Sequence, residues 1–322
     1  MDVILDLADN HGLDALYAQF PSTLQPYVAD RHHAFRQCFS LWLIAVVGVN
    51  LLYFIFSTLS YYFLFDHSLM KHPKFLPNQI RREIMLSVTS FPVTALVTVP
   101  WFYFEVRGYS KLYKNVDDYG WGYFYLSIGM FLAFTDCLIY WIHRFEHHPM
   151  LYWWLHKQHH AWKVSTPFAS FAFHPLDGYF QSIPYHAFVF IFPMHAYAYL
   201  AAFVLVQIWT ISIHDGAYFT QHPIINSSAH HTVHHLEFNY NYGQYTTLWD
   251  RIGGSYKEPT EHVENNMFFE KLSKRMAQYE KNDESRMQTA LIDNKDQKRR
   301  NRKLGKGRAN GKGHQARLVK ED

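Results

Sequence analysis

The sequence predicts an all-α fold, a polytopic membrane helical bundle that carries a histidine-rich, two-metal cap on its cytoplasmic side. Two observations support this fold class. Long stretches of the 322 residues are apolar and nearly free of charge, and a helix needs roughly 20 such residues to cross a bilayer. Histidine numbers 22, about three times ordinary usage, and 15 of these lie within residues 143–235, where even spreading of the 22 would place about 6.

We predict three regions along the chain: an N-terminal segment at 1–36, a membrane-embedded domain at 37–256 and a polar tail at 257–322. The first residues, MDVILDLADN, lack the basic stretch and the small-residue cleavage site of a secretory signal peptide. Cys38 and Cys137 both lie in apolar segments. Two such residues favour buried thiols over a disulfide framework.

Four apolar segments define the membrane domain. They are residues 37–65, 84–104, 119–142 and 178–214. The third contains a single charge, Asp136, and the fourth is interrupted by Pro184 and Pro193. We expect the fourth segment to form a hairpin that bends near Pro193 and returns to the side from which it started. Buried helices of a soluble protein are the alternative, which the length and weak amphipathicity of the segments disfavour.

The distribution of basic residues predicts the orientation. Between positions 295 and 320 there are 11 basic residues and one acidic residue, and positive charge favours the cytoplasmic side. This places the tail and all three histidine groups in the cytoplasm. The tail has no apolar periodicity, so we expect it to be disordered, solvated or in contact with anionic lipid headgroups rather than with nucleic acid.

Three short histidine motifs are the strongest functional signal. They are HRFEH at 143–147, HKQHH at 156–160 and HTVHH at 231–235. On a helix, residues three or four apart share a face. The predicted ligands are His143, His147, His156, His159, His160, His231, His234 and His235. Neutral imidazole binds iron, zinc, copper or nickel better than calcium or magnesium, and eight ligands exceed the needs of one ion, so the motifs predict two metals.

Two further histidines are predicted as metal ligands. His174 and His214 each stand near an aspartate, Asp177 and Asp215. A carboxylate next to a ligating histidine often accepts a hydrogen bond from the ring and fixes its orientation. We therefore expect these two aspartates to orient the two rings.

Three more polar residues are candidates for an outer layer around the metals. Asp136 lies on the same predicted helix face as His143, and carboxylates inside membrane spans are costly and usually functional. It could support a histidine or bond to a neighbouring helix. His148 and His230 adjoin the motifs but point to a different helix face.

The chemistry of such a site depends on its surroundings. Two irons can bind and reductively cleave dioxygen, which gives an oxidant able to take hydrogen from an unactivated C–H bond. The stretch LYWWLHKQHHAW around the second motif is aromatic and apolar, which suits a lipid substrate better than the polar cleft of a zinc hydrolase. A metal or proton transporter would place its ligands near the bilayer midplane, whereas these motifs lie at or beyond the span ends.

The order and spacing of the three motifs resemble the fatty acid hydroxylase and sterol desaturase superfamily. Within it, the segments TPFASFAFHPLDGYFQSIPYH, IWTISIHDG and NYNYGQYTTLWDRIGGSY are similar to the sterol C-5 desaturases. The resemblance extends from about residue 35 to 256 and implies that 37–256 is the catalytic domain. The histidine motifs are specific to the superfamily, and residues 166–186 and 239–256 narrow it to the desaturases.

The resemblance implies an enzyme of the endoplasmic reticulum membrane that introduces a double bond between carbons 5 and 6 of a Δ7-sterol. It implies two iron ions held by the motif histidines, dioxygen as co-substrate, and electrons from NAD(P)H delivered through a reductase and cytochrome b5. A fatty acid hydroxylase or a sterol C-4 methyl oxidase, with the same di-iron site, is the alternative.

Overall fold

The protein, a computed structural model, is described at residues 1–218 and 222–259 and at Gln278 and Lys281. Met1–Glu261 form one compact unit. The predicted all-α class is confirmed, because helices make up nearly all of the regular structure in these residues. From position 260 onward, apart from the two residues named, the predicted tail at 257–322 lies outside the described residues, so its disorder and the three region boundaries stay predictions.

Within the described part of the chain, four helices are long and apolar enough to cross a membrane. They are α4 (Ala34–Phe63), α5 (Gln79–Val106), α6 (Gly120–Glu146) and α9 (Ala196–His214). The 30 residues of α4 correspond to about 45 Å, more than the roughly 30 Å of a bilayer core. Leu51, Ile55 and Leu59, four residues apart on α4, are exposed. A continuous apolar face of this kind is what a helix presents to lipid.

Shorter helices complete the bundle. They are α1 (Asp2–Ala8), α2 (Asp14–Ala18), α3 (Gln25–Val28), α7 (Pro149–Tyr152), α8 (Pro175–Ile191), α10 (Ser228–Glu237) and α11 (Leu248–Gly253). A π-helical turn spans Asp9–Leu13, and 3₁₀ turns span His67–Lys71, Val116–Asp118, His159–Ala161 and Pro167–Phe171.

The fourth apolar segment forms the expected hairpin, with α8 as one arm and α9 as the other. The chain turns at residues 192–195, next to Pro193, where the short strand β2 (Met194–His195) pairs in parallel with β1 (Leu112–Tyr113). Pro184, expected to interrupt the segment, instead lies inside α8. A proline in a helix removes one backbone hydrogen bond, and in membrane helices neighbouring groups compensate for that loss.

The three N-terminal helices pack against α4 and α5. Arg36 at the start of α4 forms a buried ion pair with Asp9 at 2.7 Å, and its guanidinium also contacts Asp14. The α-amino group of Met1 pairs with Glu105 near the end of α5. A cluster of buried apolar side chains fills the space between them: Leu5, Leu13, Tyr17, Val28, Leu41 and Phe102.

Candidate metal centre

Histidines from four segments meet at one end of the bundle, where α6 and α9 end and α10 lies. The first cluster consists of His143, His147, His156, His160 and His234, each of which offers one ring nitrogen within 4.8 Å of those of the others. The Nε2 atoms of His143 and His156 are 3.1 Å apart. Those of His147 and His160 are 3.0 Å apart.

A second cluster lies beside the first. It consists of His159, His214, His231 and His235, again within 4.8 Å of one another. The Nε2 atom of His231 lies 2.9 Å from that of His214 and 3.1 Å from that of His235. The rings of His160 and His235, one from each cluster, have centroids 4.9 Å apart.

The two H-x-x-H-H motifs contribute to the clusters in opposite ways. In the motif at 156–160 the first and last rings join the first cluster and the middle ring, His159, joins the second. In the motif at 231–235, on α10, the outer two rings join the second cluster and His234 joins the first. Each motif therefore supports both clusters and links them.

In four of the nine rings, the nitrogen that faces away from the cluster is held by an oxygen atom. The pairs are His143 Nδ1 with Tyr242 O at 3.0 Å, His156 Nδ1 with Asp177 Oδ2 at 2.7 Å, His234 Nδ1 with Tyr240 O at 2.8 Å, and His214 Nδ1 with Thr210 O at 2.7 Å. A carbonyl or carboxylate oxygen only accepts, so Nδ1 carries the proton in each ring. The Nε2 lone pair then points into the cluster, as a metal ligand requires.

Burial keeps these rings uncharged. The pKa values of His159, His160, His231, His234 and His235 all lie well below the ordinary value, first because burial disfavours the imidazolium and then because the rings repel one another's charge. A metal binds the neutral imidazole, so metal and proton do not compete here near neutral pH.

The geometry fits two transition-metal ions. Ligand nitrogens about 2.1 Å from an ion and at right angles lie about 3.0 Å apart, which matches the 2.9–3.3 Å separations between Nε2 atoms. The donors are all nitrogen, which favours iron, zinc, copper or nickel over oxygen-seeking calcium or magnesium. Five rings in one cluster and four in the other supply enough donors for one ion each.

Nine of the ten histidines predicted as ligands lie in the clusters, including His214, whereas His174 does not. His174 precedes α8, where its Nδ1 accepts a hydrogen bond from Leu176 N at 3.2 Å and caps the helix. The two predicted carboxylate contacts are different in the structure. Asp177 orients His156 instead of His174, and Asp215 accepts from Ala217 N at 2.8 Å instead of from His214.

The outer-layer candidates have structural contacts of other kinds. Asp136 accepts hydrogen bonds from Tyr245 N at 2.7 Å and from the Thr246 hydroxyl at 2.5 Å, so it binds the loop after α10 and not a histidine. His148 caps α7, and His230 accepts from Ser227 at the start of α10. These residues hold the elements that carry the clusters.

Three contacts of the centre were missed by the sequence reasoning. The carbonyls of Tyr240 and Tyr242 support two rings, but a backbone carbonyl has no sequence signal. Glu146 is buried, with a carboxylate oxygen 4.0 Å from His156 Nδ1. That glutamate lies inside the HRFEH motif, so its position next to two predicted ligands was a usable signal.

An apolar cavity of about 380 Å³ opens next to both clusters. Its wall includes His143 of the first cluster and His159, His214 and His231 of the second. The remaining wall comes mainly from apolar side chains of α4, α5, α8 and α9, among them Val49, Phe91, Phe203 and Val204. The volume is within the range of small-molecule sites, roughly 300–1,000 Å³, and the apolar wall suits a lipid.

Comparison with known proteins places the clusters within a described family. Residues 128–255, which contain all nine cluster histidines, match the family model named fatty acid hydroxylase. The chain is 53% identical over 265 residues to the lathosterol oxidase of Homo sapiens and 52% identical over 265 residues to that of Rattus norvegicus, covering 81% of this chain and 86% of each relative. It is 49% identical over 261 residues to the Delta(7)-sterol 5(6)-desaturase erg31 of Schizosaccharomyces pombe, covering 81% of this chain and 85% of that relative. No solved structure matches the chain.

Proposed function

This chain belongs to the fatty acid hydroxylase family, among the lathosterol oxidases and Δ7-sterol 5(6)-desaturases, and on that basis we propose that it introduces the 5,6 double bond into a Δ7-sterol. The family assignment and the oxidoreductase class predicted from the sequence are confirmed by these relatives. One observation carries the proposal: two histidine clusters line one end of an apolar cavity of about 380 Å³. A sterol is a largely apolar molecule, so it is more stable in such a cavity than in water.

The reaction balances as follows. The sterol loses one hydrogen from C5 and one from C6, and a carbon–carbon double bond forms. Dioxygen is reduced to two waters, taking up the two hydrogens, two electrons from an external donor and two protons. Two iron ions bound by the nine cluster histidines would supply the oxygen-dependent oxidising chemistry that an unactivated C–H bond requires.

The chain's own residues prepare this site. Asp177 and the carbonyls of Tyr240 and Tyr242 fix three rings of the first cluster with Nε2 facing inward. Because the rings are buried and neutral, they are ready to bind metal without losing protons first. The apolar wall excludes water and orients the rigid sterol rings relative to the clusters.

We further propose the cellular setting that the sequence implies. The enzyme would lie in the endoplasmic reticulum membrane with the clusters and the C-terminal tail in the cytoplasm. Its electrons would come from NAD(P)H through a reductase and cytochrome b5. The four apolar helices make it a multi-pass membrane protein, and the α8–α9 hairpin, whose two ends both lie at the clusters, supports a single-sided site.

The test is a product assay with the full chain in membranes, supplied with lathosterol, NADH, cytochrome b5 and its reductase. We expect the 5,7-diene to accumulate and to require oxygen. A His234→Ala variant, which lacks one ring of the first cluster, should form none. A hydroxylated sterol, or a hydroxylated fatty acid without any diene, would contradict the proposal and favour the hydroxylase or methyl oxidase alternative.

A further inference from the structure

A polar patch lies on the otherwise apolar cavity wall. It consists of Tyr185, Thr210 and Gln244. The Nε2 atom of Gln244 lies 3.4 Å from the Thr210 hydroxyl, and the same amide is within hydrogen-bonding reach of the Tyr185 hydroxyl. Gln244 is 8% exposed. A primary amide has two donor hydrogens and an oxygen that accepts twice, so these contacts leave Gln244 able to bind a further polar group.

The patch is next to both histidine clusters. Thr210 accepts a hydrogen bond from His214 of the second cluster through its backbone carbonyl, at 2.7 Å. Tyr242, two residues before Gln244, accepts one from His143 of the first cluster at 3.0 Å. A group bound by Gln244 therefore lies close to both clusters.

Other polar groups on the wall are already committed to the protein. Four hydroxyls donate to backbone carbonyls: Thr94 to Pro175 at 3.2 Å, Thr98 to Thr94 at 2.8 Å, Ser170 to Pro167 at 2.8 Å and Ser182 to Tyr179 at 2.7 Å. A hydroxyl has one hydrogen to donate, so these four have none left for a ligand. The Gln181 amide donates to Asp177 at 2.7 Å and is within hydrogen-bonding reach of the buried carboxylate of Glu146, so each of its donor hydrogens has an acceptor in the protein.

Two polar residues of the wall lie farther from the clusters. Gln207 is seven residues before His214 on α9, about 10 Å along the helix axis. His186 packs against Phe102, with ring centroids 5.1 Å apart. Ser90 marks the part of α5 near the clusters, because it donates to Phe173 O at 2.8 Å and the ring of Phe173 lies 5.8 Å from that of His159. Phe102 is 12 residues beyond Ser90, about 18 Å along α5.

The geometry of a sterol decides between these positions. Its hydroxyl is on C3, and C5 is two carbon–carbon bonds away. With single bonds of about 1.5 Å, the hydroxyl oxygen lies within about 4 Å of C5. When C5 and C6 face the clusters, the hydroxyl must also lie beside them. Gln244 meets this requirement, whereas Gln207 and His186 are too far away.

Resting on the proposed function, we infer that the amide of Gln244 binds the C3 hydroxyl of the sterol and so determines which carbons face the histidine clusters. The hydrocarbon tail then extends toward Leu200 and Phe203 at the other end of the cavity. Gln244 is therefore a specificity-determining residue. The polar patch is the part of the cavity wall that distinguishes a sterol from a hydrocarbon without a hydroxyl.

The experiment compares two substrates and two matched variants in the full-chain enzyme with its electron donors. The substrates are lathosterol and its 3-deoxy counterpart, which lacks only the hydroxyl. The variants are Gln244→Met and Gln207→Met, which replace an amide of the cavity wall by an apolar side chain of the same length. The measured quantity is the ratio of kcat/KM for the two substrates, with metal content as the control for folding.

We expect the wild type to prefer lathosterol by about tenfold or more, the range of a lost buried hydrogen bond. Gln244→Met should bring the ratio close to one, and Gln207→Met should leave it unchanged. Gln244→Glu keeps an oxygen that accepts from the hydroxyl and should retain a preference. If Gln244→Met does not bind metal like the wild type, Gln244→Ala decides in the same assay.

Two results would overturn the inference while the proposed function stands: a wild-type ratio in Gln244→Met, or loss of the preference in Gln207→Met but not in Gln244→Met. A wild-type enzyme that forms no diene from lathosterol would overturn the proposed function and this inference with it. The product of the wild-type enzyme therefore distinguishes a failure of the proposed function from a failure of the inference about Gln244.

Discussion

The carboxylate of Asp177 fixes the orientation of His156 in the first cluster. Its Oδ2 accepts from His156 Nδ1 at 2.7 Å, and both groups are fully buried. We predict that Asp177→Asn lowers metal affinity and kcat/KM by about 10- to 100-fold, the usual effect of losing such a support. The measurement is a competitive chelator titration together with the lathosterol assay.

The matched control is Asp215→Asn, which changes a buried aspartate of the same region. Asp215 contacts Ala217 N and the Ser60 hydroxyl rather than a cluster ring. It should therefore lose stability without a selective loss of metal affinity. Wild-type affinity in Asp177→Asn would show that His156 is oriented without its carboxylate.

His214 and His174 give a second prediction, since the sequence treats them alike and the structure does not. His214→Asn removes one of the four rings of the second cluster, so about half of the bound metal should be lost together with the activity. His174→Asn replaces one helix cap by another, because asparagine is among the preferred N-cap residues. Metal stoichiometry by elemental analysis should fall in the first variant and stay at the wild-type value in the second. Equal losses in both would contradict the assignment.

A residue next to the histidine, and not its spacing from other histidines, indicates which histidines lie outside the clusters. His72, His148, His174 and His222 each precede a proline, and in each case Nδ1 accepts from the backbone N–H two residues on, at 3.1–3.4 Å. After His148 and His174 a helix begins, so the proline takes the first helical position and the histidine is the N-cap. After His72 and His222 the chain forms a turn instead. In this chain a histidine before proline therefore bonds to the backbone next to it, which explains why His174 lies outside the clusters.

The motif elements show which part of the site could be predicted. Positions i, i+3 and i+4 of a helix lie on one side of it, and from this spacing eight of the nine cluster ligands were predicted, while His214 was predicted from its neighbour Asp215. The division into two clusters was not, because i+3 and i+4 are separated by about 100° around the helix. Such an arc is wide enough for His234 to face one cluster while His235 faces the other. Which ring turns to which side depends on α6 and α9, which are distant in sequence.

The contact between α11 and α6 gives a prediction at the scale of elements. Gly253, the last residue of α11, approaches the cluster end of α6 so closely that an added Cβ would lie 1.9 Å from the Tyr140 hydroxyl and 2.6 Å from an Arg144 nitrogen. Gly253→Ala should therefore push α11 away from α6 and cost about 1–3 kcal/mol, the usual range for overpacking.

Gly122→Ala is the control, because an added Cβ at Gly122 meets nothing within 4 Å. Alanine favours the helix over glycine by up to about 1 kcal/mol, so this variant should be neutral or slightly stabilised. Thermal unfolding in detergent measures both. A Gly253→Ala enzyme with wild-type stability would mean that the α11–α6 contact adjusts without cost.

At the scale of the whole molecule, the membrane architecture was predictable and the N-terminal packing was not. The lengths of the uncharged segments predict the four membrane segments, and the proline at 193 predicts the turn between α8 and α9. The packing of α1–α3 depends on Arg36 reaching Asp9, 27 residues away, and on the α-amino group of Met1 reaching Glu105. Pairings over such distances are decided by the assembled fold and leave no local pattern.

The clusters also join segments that are far apart in the chain, and this predicts that bound metal stabilises the whole fold. Each cluster draws rings from three of four segments: the end of α6, residues 156–160, the end of α9 and α10. A ligand that binds the folded state at 100 times its Kd adds about 2.7 kcal/mol of stability. With about 2.1 cal/mol/K of unfolding entropy per residue, this corresponds to roughly 4 °C in Tm for a chain of 322 residues. Chelation should lower the Tm of the purified full chain by this amount, and added Fe²⁺ should restore it.

Two variants sharpen this measurement. His174→Asn keeps both clusters complete and should show the wild-type dependence of Tm on metal. His234→Ala removes a ring that connects α10 to the first cluster, so its Tm should respond less to metal. Because the clusters bring together buried Nε2 atoms whose lone pairs a metal would bind, the metal-free protein should also exchange the amide hydrogens of α10 faster than the metal-bound protein. A Tm and an exchange rate that do not change with metal would mean that these rings are assembled by the helices alone.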